Sequence, residues 1–295
     1  MELRHLRYFL AVAEELHFGR AAERVHIAQP PLSRQIQQLE EEIGVKLFHR
    51  TRRSVRLTHA GNAFLEEVRK ILDLSEKAIS LAQRAEQGEI GRLVVSFVGS
   101  ATYSFVPSAL RSFRELFPDV ELVLREFSTD LQLEALHEGS VQVGFLRQPI
   151  NDDTLFIETI LREPLRLAVP ADHPLASTPR VELDMLAKEP FVMYSRQQGT
   201  AFYGEIMSLC HRAGFSPKVV QEALQMPTVL GLVSVGIGVA IVPGSVQNLQ
   251  MPGVVYRILT GVDQTTELAM AWRRDDESPV SKAFLNVTRG IAMQS

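Results

Sequence analysis

Residues 60–87 contain no proline and only one glycine, Gly61, near the start. Within that run Phe64, Val68, Ile71, Ser75, Ala78, Ala82 and Ala85 follow one another in four-three steps, and Leu65, Leu72 and Ile79, seven apart, widen the stripe. That spacing places apolar side chains on one side of a continuous helix and has the form of a heptad seam. A helix of about 25 residues is roughly 38 Å long. With one apolar side it needs a partner, and the simplest partner is a second copy of the same chain. Gly88 and Gly91 end the run. It divides the chain into a short helical part before it and alternating strands and helices after it, so 295 residues are expected to form more than one folding unit.

The short part is basic. Residues 1–58 hold ten Lys and Arg against seven Asp and Glu, net +3, while the remainder is net −7, within a chain of net charge −4. Leu3–Glu15 reads as a first helix with Leu6, Phe9, Leu10 and Ala13 on one side, and Phe18 and Gly19 are expected to break the pattern. A short helix through Ala21 and Ala22 then turns into a second that opens on Gln29, Pro30 and Pro31. In the second, Leu32, Ile36 and Leu39 share one side; Arg34, Gln37 and Gln38 lie opposite, with Ser33 and Gln35 on the flanks. These polar side chains match the donor and acceptor patterns of base edges, so the pair reads as a helix-turn-helix whose second helix enters a major groove. The same spacing also suits an amphipathic helix pair inside a core.

The second helix ends at Glu40-Glu41-Glu42-Ile43-Gly44, with Gly44 placed to cap it in the left-handed conformation. Three acids in a last turn oppose the helix dipole, so this end is expected to gain nothing locally. Val45–Arg50 and Val55–Thr58 then alternate around a polar connection, predicting a β-hairpin. Arg50, Arg52, Arg53 and Arg56 on it would meet a phosphate backbone. Helix pair and arginine hairpin together favour a winged helix-turn-helix over an ordinary core.

After Gly91 the chain reads as βαβ units on a largely parallel sheet: strand Leu93–Val98, a helix through Val106 and Phe113, strand Val120–Phe127, a helix begun by Ser128-Thr129-Asp130, and strand Val141–Leu146 ending at Arg147. Ligands of such sheets lie beyond the carboxyl ends of the strands, against helix N-termini. Three such ends carry Ser100 with Thr102, Ser128 with Thr129, and Arg147. Hydroxyls and free backbone N–H groups there favour an anion, notably a carboxylate, although Ser128 and Thr129 would also serve simply as caps. A second set begins near Leu165–Val169. Its loop Ser195–Phe202, with Thr200 and Phe202, and its stretch Gln225-Met226-Pro227-Thr228 would face the first set across a cleft. Glu267–Trp272 and a last helix, Pro279–Ile291, are expected to return to the first lobe.

Other chemistries find little support. Cys210 alone allows no disulfide framework, and beside His211 it reads as a buried small hydrophobe. The histidines are scattered without metal spacing, Gly236-Ile237-Gly238 lies in the wrong order for a dinucleotide loop, and no nucleophile elbow is present. No enzyme, metal or cofactor is expected. The start, Met-Glu-Leu-Arg-His, lacks an apolar targeting region, and no apolar run is long enough for a bilayer, so the expectation is a cytoplasmic protein without membrane contact.

Phe18-Gly19-Arg20-Ala21-Ala22, Gln29 to Ile36, Leu39-Glu40 and Gly44 to Arg50, completed by Thr58, Ala60 and Gly61, resemble the LysR-type transcriptional regulators. Val25 and Ile43 stand where leucine is usual. Gln29–Ile36 and Phe97–Ser100 resemble two related branches, regulators of aromatic-compound breakdown that sense muconate-type acids and regulators of acetoin synthesis that respond to acetate. Gly99–Tyr103 and Gly231–Gly238 lean toward the latter.

The resemblance implies a winged helix-turn-helix (1–58), a linker and dimerisation helix (59–89) and a two-lobed, periplasmic-binding-protein-like α/β effector domain (90–295). Lobe I would span about 90–163 plus 268–295, and lobe II about 164–267. It implies a homotetramer bound to an imperfect palindrome in double-stranded DNA, with RNA polymerase a further candidate partner, and a small carboxylate effector. Ser100, Thr129 and Phe202 match effector-contacting positions of the muconate-sensing branch, whereas Thr200 stands where that branch has proline. An activator is expected. The alternative is a small-anion-binding protein without promoter regulation, for which residues 1–90 would have no use.

Overall fold

The computed structural model describes residues 1–51, 54–197, 199–261 and 265–293. Two compact units divide the chain, Met1–Arg84 and Ala85–Ser295.

In the first unit α1 (Leu3–Glu15), α2 (Phe18–Arg24) and α3 (Gln29–Ile43) precede β1 (Phe48–Arg50), β2 (Val55–Leu57) and α4 (His59–Glu86). Phe18 and Gly19 begin α2 instead of breaking a helix. The His17 side chain accepts from the N–H groups of Gly19 and Arg20 at 3.0 and 3.2 Å, doing the work of a capping serine. Two prolines at the start of α3 suit a first turn that has no helical acceptor to lose, and Gly44 closes it at φ +78°. Leu6, Phe9, Ala21, Leu32, Ile36, Leu39 and Phe48 form the core.

Glu40 corrects the expectation for the end of α3. It is 2% exposed, its carboxylate accepts from the backbone N–H groups of Leu47 and Phe48, and it pairs with Lys46 and Arg50 at 3.1 and 3.2 Å. The unfavourable dipole is outweighed by contacts from outside the helix. Thr58 fastens the hairpin to α4: its hydroxyl donates to the Lys46 carbonyl at 2.7 Å and accepts from Gly61 N–H at 2.8 Å. A Cβ on Gly61 would overlap the Leu47 carbonyl.

The second unit contains β3 (Gly91–Phe97), α5 (Val106–Leu116), β4 (Val120–Glu126), α6 (Thr129–His137), β5 (Val143–Arg147) and the 16-residue β6 (Leu155–Pro170). It continues with β7 (Arg180–Glu182), β8 (Pro190–Tyr194), α7 (Thr200–Arg212), β9 (Lys218–Ala223), α8 (Met226–Ser234), β10 (Ala240–Pro243), β11 (Val254–Thr260), β12 (Thr265–Arg273) and α9 (Pro279–Ala292). The main sheet runs β4-β3-β5-β12-β6-β11-β7, with β10 also on β6 and β8-β9 a separate pair.

The β3-β4, β3-β5 and β8-β9 pairings are parallel, as expected. The expectation of a largely parallel sheet fails at β12 and β6, which run antiparallel to each other and to their other neighbours β5, β10 and β11. These two strands join the lobes. Residues 155–164 of β6 pair with β12, and Leu165–Pro170 pair with β10 and β11. On one side lies a core around Phe113, Phe145 and Phe284, the last from α9; on the other, a core around Leu167, Phe191, Leu209 and Leu230. Cys210 is fully buried in the second core, and burial pushes its thiol up to about 11. No described helix is long and apolar enough to cross a membrane.

Candidate functional site

Two sites emerge, one in each unit. In the first, burial of Leu32, Ile36 and Leu39 against α1 and α2 turns the other side of α3 to solvent. Gln29, Pro30, Pro31, Arg34, Gln37 and Gln38 are exposed there, and Ser33 is half-buried. The Gln35 carbonyl meets His5 Nε2 at 2.8 Å, and its amide donates to Gln38 at 3.4 Å, so the Gln38 side chain is already oriented. Arg34 has no ion pair among the described residues. Arg50 differs from the others: paired with Glu40, its guanidinium lies 4.9 Å over the Phe18 ring, holding the hairpin to the helices. Arg52 and Arg53 lie outside the described residues. Arg56, opposite His49 on the hairpin, is exposed.

In the second unit the parallel order β4-β3-β5 brings three strand ends side by side, and the β8-β9 pair brings two more. A cavity of about 480 Å³ opens between them. Ser100, Thr129 and Arg147 line it from the first group of strand ends; Thr200, Phe202 and Met226 line it from the second. Thr102, Ser128 and Pro227 lie off the lining. The Thr102 hydroxyl donates to the Gly99 carbonyl at 2.6 Å, Ser128 caps α6 by accepting from Leu131 N–H, and Pro227 fills the first turn of α8. Val98, Leu133, Ile150, Tyr194 and Leu224 make much of the wall apolar.

Arg147 is the one Arg or Lys among the described lining residues. It is 5% exposed; Nε donates to the Ser100 hydroxyl at 3.3 Å and one terminal nitrogen to Glu163 at 2.7 Å. The other, Nη1, is buried without an acceptor among the described residues. A buried charged donor left unused costs about 1–3 kcal/mol or more, which an anion would recover. Thr129, at the first turn of α6 beside its free N–H groups, adds the partial positive charge of a helix N-terminus.

Sequence reasoning missed Glu163, Glu126, Asp130, Tyr103 and Tyr194. Glu163, 6% exposed, sits where β6 changes partners and accepts from both Arg147 and the Ser245 N–H. Nothing local signals it, because both partners are distant in the chain. Glu126 and Asp130 flank residues that were singled out, and their place beside a strand end and a helix start was the available signal. The Tyr103 and Tyr194 phenols are held above their usual range by burial and then by the nearby Glu126 charge. Among the described residues no group of acids, histidines or cysteines could hold a metal.

Comparison with known proteins gives two family matches: the bacterial regulatory helix-turn-helix protein, lysR family, over residues 3–62, and the LysR substrate binding domain over 86–291. The HTH-type transcriptional regulator AlsR of Bacillus subtilis (strain 168) is 45% identical over 288 residues, 98% of this chain and 95% of that protein. Full-length CbnR complexed with its target DNA is 31% identical with a TM-score of 0.87, over 99% of this chain and 100% of CbnR. The BenM effector binding domain with its effector benzoate is 28% identical with a TM-score of 0.63, over 69% of this chain and 93% of that domain.

Proposed function

The chain belongs to the LysR family of DNA-binding transcriptional regulators with an effector-binding domain, and on that premise we propose that a small organic acid, bound in the cavity of the second unit, sets how it engages its operator. The observation that carries this reading is Arg147, which lines the cavity with Ser100 and Thr129 and is 5% exposed, its Nη1 without an acceptor among the described residues. Benzoate, named as the effector of BenM, is an acid of this kind.

In this reading the exposed side of α3 contacts bases through Gln29, Ser33, Arg34, Gln37 and Gln38, with Pro30 and Pro31 at its entry. The hairpin arginines approach phosphates. Two copies joined along α4 present two such helices to an imperfect palindrome, and two dimers form the tetramer. The acid draws the lobes together across the cleft, and the protein activates transcription from within the cytoplasm, in contact with RNA polymerase.

The test uses the full chain, with acetate and benzoate as probes followed by calorimetry. At least one of them is expected to bind the native protein and alter its operator footprint. The double substitution Ser100→Ala/Thr129→Val should keep operator binding and lose both effects. Undiminished calorimetric binding by that variant would remove the site from consideration.

A further inference from the structure

We infer that the ligand of this cavity is a monocarboxylate that also carries a hydrogen-bond-donating group, a hydroxyl or an ammonium, seated against Glu126. The inference rests on the acid-site reading above and narrows it. Glu126 ends β4 and lines the cavity. Its carboxylate lies over the segment that carries Ser100: a Cβ built on Gly99 would stand 2.6 Å from Glu126 Oε1. An acceptor thus lies one residue from the hydroxyl that Arg147 already orients.

The Glu126 side chain makes no hydrogen bond or ion pair among the described residues. Asp130, from the first turn of α6, lines the same cavity and is likewise without an ion pair among them. Against these two carboxylates stands one arginine, and it is shared with Glu163. Ser100, Thr129, the α6 terminus and the Arg147 guanidinium can hold one carboxylate. A second carboxylate on the ligand would meet Glu126 or Asp130 with no cation left to pair it, a repulsive element that rejects dicarboxylates. A hydroxyl or ammonium instead gives Glu126 a donor, and charge-assisted bonds of that kind are the strong ones. The apolar wall, with Val98, Leu133 and Phe202, takes the remaining carbon skeleton.

Four acids of one skeleton test this by calorimetry on the full chain: 3-phenylpropionate, 3-phenyllactate, phenylalanine and benzylsuccinate, which differ only in the group on C2. The expected result is that phenyllactate or phenylalanine binds at least tenfold tighter than phenylpropionate, and that benzylsuccinate binds weakest. The tighter of the two identifies the donor as hydroxyl or ammonium. Glu126→Gln, at an exposed strand end, should leave the unliganded melting temperature unchanged, cut an ammonium advantage at least tenfold and improve benzylsuccinate. Glu126→Leu should abolish the advantage of either donor.

Equal binding of phenylpropionate and both substituted acids, or unchanged ratios in the Glu126 variants, overturns the inference. If phenylpropionate binding is then lost in Ser100→Ala/Thr129→Val, the acid site survives without it. If none of the four binds at millimolar concentration the inference falls, and the acetate and benzoate titrations decide the acid site by themselves.

Discussion

Glu40 carries more of the first unit than its position in a last turn suggests. Burial alone would raise its carboxyl pKa, but the bonds from Lys46 and the Leu47 and Phe48 N–H groups, with the Arg50 charge, outweigh burial and hold it below the usual carboxylate range. A carboxyl depressed in the folded state contributes stability above its unfolded pKa and loses it as pH falls through the folded value. Glu40→Ala should therefore destabilise the first unit by on the order of 3 kcal/mol at neutral pH, since it strands two backbone donors and the guanidinium of Arg50. The deficit should shrink in acid below the carboxylate range, and chemical denaturation of residues 1–84 at two pH values measures it. A pH-independent deficit would contradict the assignment. Arg34 tests the proposed base-reading side of α3: Arg34→Ala should cost about 1–3 kcal/mol, concentrated at one operator position. Equal weakening on specific and random DNA in a gel shift would rule out a base contact. At this scale the sequence was legible where chemistry is local, as at the Gly44 cap and in the places of Thr129 and Arg147 on the cavity lining. It was silent where partners are distant in the chain, as for Glu40 with Leu47 and Glu163 with Arg147.

At the scale of elements, α4 shows how a periodic pattern can be right about a helix and less right about its faces. The helix spans His59–Glu86, close to the expected bounds. Of the expected seam only Val68 is buried; Leu65 and Leu72, expected to widen the stripe, share the buried side with it. The first half of α4 is drawn onto its own domain, where Phe64 meets Phe9 at 4.9 Å and Arg69 meets Glu14 at 3.4 Å. The second half leaves Leu74, Ile79 and Leu81 at 68, 53 and 55% exposure. In the proposed dimer these exposed leucine and isoleucine side chains form the contact between copies. Leu74→Glu with Ile79→Glu should convert the protein to monomers in sedimentation equilibrium without unfolding it; an unchanged mass would place the association elsewhere. The strands taught the opposite lesson. The apolar run Leu165–Val169 was visible, but the first half of β6 was not, because Glu158, Arg162 and Glu163 interrupt its alternation. Its antiparallel course with β12 follows from pairings that no local pattern encodes.

For the whole molecule, two compact units with separate cores imply two unfolding events. Scanning calorimetry of the full chain should resolve two transitions, and only the one assigned to Ala85–Ser295 should move when a cavity ligand is added. At a hundred times its dissociation constant a ligand adds about 2.7 kcal/mol to the unit that binds it. A shift confined to the other transition would mean the acid binds the wrong unit. The order of modules, short basic helices, one long helix, then alternating strands, was readable from end to end because composition and periodicity change abruptly near residues 58 and 90. The cavity between β3-β4-β5 and β8-β9 was readable as three strand ends faced by a loop and a second stretch, but its acidic side was not, since Glu126 and Asp130 look like ordinary surface residues.

Cys210 has a practical consequence. With its thiol pushed up to about 11 and no exposed surface, it carries almost no thiolate at neutral pH and offers little to a maleimide. The native cysteine can stay in place while a single reporter thiol is introduced at Ala78 on α4. A spin label attached there would test the proposed dimer by the spacing between two labels, in the absence and presence of operator, without first rebuilding the protein to be cysteine-free.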